Sequence, residues 1–333
     1  MERMRYGPVD AALSPRFVGI RTFMRLPHVP TPGDDVDVAV VGVPFDTGVT
    51  FRVGGRFGPE AIRANSLLLR PYHPVLDIEL FEYISAVDAG DIVIAPGFTD
   101  DSFERIERGM TELLTGSGAV PVVLGGDHSI AVPNLRALAK QQGPVALVHL
   151  DAHLDTWDQY WGHKYTHGTP FRRAAEEGLL DTAHSIQVGL RGPLYSASDM
   201  QGSRDLGFRL ITAPEIHDRG AAWTVAEIVA RVGDRPVYIS WDIDVVDPAY
   251  APGTGTPEVG GITSYQAQQL LRGMAGLNLI GMELIEVIPQ YDGPGAITAL
   301  LAANLCWEFM ALIALRKRAE HAAPRAAATR VGS

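Results

Sequence analysis

The chain has 333 residues, a formal net charge of −11 and a single cysteine. That charge argues against a nucleic-acid or anionic-membrane surface, and one thiol excludes both an intrachain disulfide framework and a cysteine-based zinc cluster. Hydrophobic residues at 46% and 35 glycines fit a folded α/β chain better than a disordered one.

In chain order, residues 1–33 are rich in Pro and Arg without a clear period. They read as an N-terminal arm over the domain or over a neighbouring subunit. MERMRYGPVDAALSPRF at its start lacks an apolar signal core, so a cytoplasmic location is the expectation. Beyond the arm, β-branched runs alternate with helical patterns. VDVAVVGVP (36–44) is followed by GPEAIRANSLLL and SFERIERGMTELLTG. AVPVVLGGD (119–127) is followed by PNLRALAKQQG. Then come PVALVHLDAH (144–153), HSIQVGLRG (184–192), WTVAEIVARVG, RPVYISWDID (235–244) and LIGMELIEV (279–287). Each run is nearly continuous in apolar residues, the pattern of a strand buried on both faces of a parallel sheet. The alternation predicts one three-layer α/β/α domain over 34–317. ITALLAANLCWEFMALIAL (297–315) is nearly long enough to span a bilayer. Asn304 and Glu308 interrupt it, and it reads as a buried core helix. Residues 318–333 read as a flexible C-terminal tail.

Several runs end in His, Asp or Glu. In open parallel sheets, ligands bind outside the carboxyl ends of the strands. GGDHS, DAHLD, DID and IEV would therefore meet at one rim. Asp151, His153 and Asp155 occupy alternate positions and face one side while the chain stays extended. Asp242 and Asp244 repeat that spacing, and His128 follows a Gly-Gly-Asp turn. Four carboxylates and two imidazoles are too many for one ordinary metal site, and left alone the carboxylates would repel. Two divalent cations relieve this if some carboxylates bridge. Oxygen and imidazole donors without thiolate suit manganese, with nickel or zinc also fitting. Taken singly, GGDHS reads more readily as a glycine turn with a buried, hydrogen-bonded His, and DIDVVDP can be a strand end entering a turn. Their conjunction carries the metal reading.

With these motifs in place, the sequence resembles the ureohydrolase (arginase/agmatinase) family. The likeness rests on GGDHS (125–129), DAHLD (151–155), HGTPFRRA (167–174), SWDIDVVDPAYAPGTGTPEVGG (240–261) and MELIEVIPQYD (282–292), and runs from about Val36 to Leu315. It is nearest the agmatinase-like branch, close to guanidinobutyrase and proclavaminate amidinohydrolase. The resemblance implies an arginase-like central eight-stranded parallel sheet and a homotrimer or homohexamer. It implies that His128, Asp151, Asp155 and Asp242 hold one Mn2+, and that His153, Asp151, Asp242 and Asp244 hold the other, with Ni2+ the main alternative. Asp151 and Asp242 would bridge, and Asp155 would orient a bridging hydroxide. Glu286 would anchor the guanidinium, whose forked donors match a carboxylate. His167 would shuttle a proton to the leaving amine, a task suited to its pKa. His163 competes on spacing alone, but GTPF flanks His167. His149, inside a strand, reads as a satisfied core histidine. The implied reaction is hydrolysis of a guanidino compound to urea and an amine.

The loop TWDQYWGHKYT (156–166) should border the pocket mouth. Trp157, Tyr160 and Trp161 offer an aromatic wall for a cation, and Asp158 a partner for a terminal ammonium. Both fit agmatine; packing of the loop or of a subunit contact is the bland alternative. Lys164, Arg172, Arg173, Arg52 or Arg56 facing the pocket would instead favour guanidinobutyrate or guanidinopropionate. Guanidine, a substituted biguanide, a deacetylase-like amidase and a subunit of a mixed oligomer remain as further readings.

Overall fold

Each of the six apolar runs contains a strand in the computed structural model, which describes residues 6–328. In chain order the elements are β1 (Val38–Val43), α1 (Gly58–Ser66), β2 (Tyr72–His73), β3 (Ile78–Glu79), β4 (Ala86–Asp91) and α2 (Thr99–Ser117). Next come β5 (Val120–Gly125), α3 (Ala131–Gln142), β6 (Ala146–Leu150), α4 (Pro170–Glu176), β7 (Ile186–Leu190) and α5 (Ser198–Asp205). The chain continues with β8 (Arg209–Thr212), α6 (Ala213–Val232), β9 (Val237–Asp242), α7 (Ser264–Gly273), β10 (Leu279–Ile285) and α8 (Ile297–Ala328). Eight strands form one sheet in the order β4-β1-β5-β10-β9-β6-β7-β8, and every pairing in it is parallel. β2 and β3 form a separate antiparallel pair.

The continuous apolar runs follow from burial on both faces. In β1, Val38 and Val40 join one core cluster with α1, α7 and α8, while Ala39, Val41 and Val43 join a second with α2 and α3. Successive side chains of a strand point to opposite faces, so one apolar run serves two helical layers. α8 carries the apolar stretch 297–315, and 83% of its most apolar window is buried inside the molecule. Glu308 within it meets His73 at 2.8 Å and Arg272 Nε at 2.9 Å, which compensates its burial.

The N-terminal arm lies over its own domain along the edge strand β4. The Ala86 amide donates to the Tyr6 carbonyl, the Val29 amide donates to the Asp88 carbonyl, and Phe23, Met24 and Leu26 are buried. Covering an edge strand in this way blocks further pairing. Residues 1–5 of the expected arm lie outside the described residues. α8 runs through 318 to Ala328, with Arg318 Nη1 donating to the Asp77 carbonyl, and 329–333 lie outside the described residues.

Candidate active site

Four adjacent central strands deliver the donor side chains to one rim. β5 ends in the turn Gly125–Gly126–Asp127. A Cβ on Gly126 would overlap the Phe45 carbonyl oxygen, so only glycine lets the turn close there. Asp127 accepts from the amides of Ser129 (2.9 Å) and Gly48 (2.7 Å), which fixes the next residue, His128. β6 runs into Asp151, His153 and Asp155; β9 into Asp242 and Asp244; β10 into Glu286. Asp155 and Glu286 hold φ angles of 51° and 62°, a left-handed backbone that costs non-glycine residues energy.

His128 Nδ1 lies 2.8 Å from Asp155 Oδ2, 3.1 Å from Asp151 Oδ2 and 3.4 Å from Asp242 Oδ2. His153 Nδ1 lies 3.1 Å from Asp244 Oδ2 and 3.3 Å from Asp151 Oδ1. Asp151 belongs to both groups, as a bridging carboxylate must. Asp242 Oδ1 accepts from the Asp244 amide at 2.8 Å, and Asp244 Oδ1 from the Ala152 amide at 3.1 Å. All six expected donors are thus brought together.

The far side of His128 tests whether this arrangement fits metal ions. The Glu283 carboxylate accepts from Ser240 Oγ (2.7 Å), Asn134 Nδ2 (2.9 Å) and Tyr238 Oη (3.0 Å). Ser240 has spent its one proton on Glu283, so at 2.8 Å it accepts from His128 Nε2–H. The Nδ1 lone pair of a neutral His128 then faces three carboxylate oxygens. Four acceptors converging on one point require positive charge there, either a proton or a cation. The donor set, oxygen and imidazole without thiolate, fits divalent metal ions.

The electrostatics agree. Burial opposes charge on His128, but Asp151, Asp155 and Asp242 outweigh it and hold the imidazolium well above its usual range. Burial, then the Asp244 and Asp151 charges, push the Asp242 carboxyl well up. Asp151 is held well down, against its burial, by His149, His128 and His153. Neighbouring acids driven apart in this way mark a site built around bound charge.

The neighbouring cavity has a volume of about 340 Å³ and is lined by Thr50, His153, Asp155, Trp157, Tyr160, His167, Tyr195, Asp242 and Glu258, among others. A larger hollow of about 670 Å³ lies under the N-terminal arm. Both metal-donor clusters found among the described residues lie instead at the strand ends, beside the smaller cavity. His167 Nδ1 is 3.1 Å from Glu286 Oε1, and Nε2 is 3.1 Å from the Thr50 amide and 2.6 Å from its hydroxyl. Thr50 suits either ring charge, since its amide donates to a neutral Nε2 and its hydroxyl accepts from a protonated one. Glu286 Oε1 also accepts from the His128 amide at 2.9 Å, while Oε2 is buried without a partner.

Burial lowers the His167 pKa, but Glu286, then Asp155 and Asp127, raise it to about 8 from 6.5. A raised histidine pKa means the folded state favours the imidazolium. Its contribution to stability is full below pH 6.5 and is lost as pH rises through about 8. His167→Asn should therefore flatten the fall in melting temperature between those values, measured on the metal-free protein. An unchanged slope would refute the assignment.

The mouth loop departs from expectation. Trp157 and Tyr160 line the cavity, but Asp158 and Trp161 do not. Asp158 is 2.7 Å from Arg173 Nη2 and 3.5 Å from Arg172 Nε, because α4 folds back beneath the loop. Trp161 turns into a separate hollow with Lys164. Arg56 is held by Asp46 at 2.6 Å, and the Arg52 guanidinium stacks 4.6 Å from the Tyr291 ring centroid. The acid at the mouth is instead Glu258, with Oε1 3.9 Å from His153 Nε2. Sequence reasoning missed it because GTGTPEVGG has no period; an acid so close to DID was the available signal. Arg191 holds that loop to the metal rim, donating to the carbonyls of Asp244 (2.6 Å), Val245 (3.1 Å) and Glu258 (2.7 Å). Tyr195 completes the wall, its ring centroid 6.1 Å from Trp157 and 6.5 Å from Tyr160.

Residues 36–312 match the arginase family. The guanidinobutyrase of Pseudomonas aeruginosa is 46% identical over 94% of this chain and 98% of its own. The mitochondrial agmatinase of Gallus gallus is 45% identical over 92% of this chain and 89% of its own. The solved structure of proclavaminate amidino hydrolase from Streptomyces clavuligerus superposes with a TM-score of 0.85 at 44% identity, covering 90% of this chain and 99% of that one.

Proposed function

The chain belongs to the arginase family, as a hydrolase of guanidino compounds with a binuclear metal site, and from that premise we propose that its substrate carries a cationic far end, with agmatine first. The observation that carries this reading is the charge of the cavity. Besides the metal donors, its lining holds the carboxylate of Glu258, and none of the described residues lining it is lysine or arginine. The basic side chains that would have read a carboxylate are paired, stacked or turned elsewhere. Trp157, Tyr160 and Tyr195 add aromatic faces, which attract an ammonium. The relative named guanidinobutyrase supports a second reading, a guanidino acid. The buried Trp157 Nε1–H, which has no acceptor, also favours it.

His128, Asp151, Asp155 and Asp242 would hold one ion, and His153, Asp151, Asp242 and Asp244 the other, with manganese the first choice and nickel the second. Bound there, two such ions would supply a water acidified toward neutrality. The protein does the rest. Glu286 Oε2 takes the guanidinium and presents its carbon to the rim. Asp155, held in its left-handed turn, directs an oxygen at the same point. His167 holds a proton between Glu286 and Thr50, ready for the departing amine. The aromatic wall borders the cavity. Urea and an amine are the products.

The test is urea release from agmatine, guanidinobutyrate, guanidinopropionate, guanidine and a biguanide, with manganese, nickel and zinc supplied in turn. The highest kcat/KM is expected with agmatine and manganese; a preference for either guanidino acid overturns the cationic reading. Glu258→Gln should raise KM for agmatine about fivefold, the worth of about 1 kcal/mol for a partly exposed charge pair, and leave guanidinobutyrate unaffected or improved. Equal effects on both substrates would remove Glu258 from tail recognition.

A further inference from the structure

His149 stands inside β6, is fully buried, and lies 2.8 Å through Nε2 from Asp151 Oδ2. By position alone it belongs to the metal-donor cluster of His128, Asp151 and Asp155. Its other neighbours say otherwise. His149 Nδ1 is 2.9 Å from Gln187 Nε2, and that same nitrogen donates to the Leu154 carbonyl at 2.5 Å. A carbonyl only accepts, so the amide NH2 of Gln187 must occupy this end. Ser203 Oγ donates to Gln187 Oε1, which fixes the other end. The second amide hydrogen of Gln187 therefore goes to His149 Nδ1. Nδ1 accepts, the ring proton sits on Nε2, and Nε2–H donates to Asp151.

We infer that Ser203, Gln187 and His149 form a buried positioning relay for Asp151, running from α5 through β7 to the bridging carboxylate. Each member sets the donor sense of the next. At its end the relay leaves Asp151 held as an acceptor from His149, with lone pairs aimed at both metal positions. His149 is then no ligand, since its nearest nitrogen carries a hydrogen. Asp151 Oδ1 accepts from the His153 amide at 2.5 Å, so the carboxylate is gripped from both sides. Hydrogen bonds behind a ligand fix its orientation and basicity. The relay starts on the helix that follows the Tyr195 loop, and so ties the pocket wall to the metal rim.

This inference rests on the two-metal reading, and the experiment separates them. Manganese is titrated into the metal-stripped full-length protein. Bound equivalents are counted and the electron paramagnetic resonance spectrum recorded. The wild type should bind two ions and give an exchange-coupled spectrum. Gln187→Met and His149→Phe should weaken one of the two sites about 10- to 100-fold and show the spectrum of isolated ions. His149→Gln, whose amide nitrogen can donate from near the Nε2 position, should restore the coupled spectrum; a merely space-filling role would give no such rescue. Should Gln187→Met not fold, Ser203→Ala reads the same chain from its far end, with about tenfold weaker binding expected. Wild-type affinity and coupling in Gln187→Met, or in Ser203→Ala in its place, together with His149→Phe overturn the relay alone. A wild type that never binds a pair overturns the two-metal reading and the relay with it.

Discussion

Replacing Asp242 with alanine is expected to abolish urea release and manganese binding together. Asp242 is buried at the end of β9 and is the one carboxylate besides Asp151 that both proposed ion positions share. Its Oδ1 also caps the Asp244 amide, so the substitution releases a second donor. Its ionisation is opposed by burial and by Asp244 and Asp151, a cost that a bound cation offsets. Losing the pair should lower kcat at least about 10⁴-fold, the worth of roughly 5.5 kcal/mol of barrier. At manganese about 1,000 times its Kd, binding should stabilise the wild type by about 4 kcal/mol. That rise in melting temperature should vanish in the variant. An Asp242→Ala protein with normal turnover, or with the full manganese shift, removes the site from the mechanism.

Glu286→Gln should leave manganese content unchanged and lower kcat/KM by about 10²–10³-fold, as when one member of a buried hydrogen-bonded charge pair is neutralised. Oε1 is committed to the His128 amide and to His167, while Oε2 is buried without a partner. An orphaned carboxylate oxygen is costly unless something cationic meets it. Glutamine keeps the shape and the contact with His128, but meets a guanidinium with neutral dipoles in place of charge. The readouts are steady-state urea release and metal analysis side by side. Near-normal kcat/KM would mean the guanidinium binds elsewhere. A drop in metal content would mean Glu286 serves the ions instead.

The central strands were legible because burial on both faces forbids polar residues. VDVAVVGVP and PVALVHLDAH have no other simple reading. The edge strands β4 (AVDAGD) and β8 (RLIT) escaped notice because an edge tolerates short, polar sequence. The donors at 128, 151–155 and 242–244 were visible because strand geometry turns alternate residues to one side. Asp158 misled because its partner Arg173 is brought beneath it by α4, a fold-back that TWDQYWGHKYT does not announce. Glu258 and Tyr195 lie in loops whose course is set by distant contacts, such as the hold of Arg191 on the Glu258 carbonyl. His149 was legible as a satisfied core histidine, but only the orientation of Gln187 reveals which of its nitrogens carries the proton.

The His128 amide binds a carboxylate 158 residues further along the chain. The donors between them come from β6 and β9, which pair with each other, and β10 lies between β9 and β5, the strand that leads to His128. No short fragment can hold the ions, so metal cannot nucleate folding as it does in small zinc modules. It can only lock a molecule already built. During synthesis the ribosome must release β10 before the rim exists, and until then β5 and β9 each keep an edge without its partner strand. Manganese in the growth medium should therefore extend the lifetime of finished protein without raising the fraction of chains that reach it, whereas slower translation or lower temperature should raise that fraction.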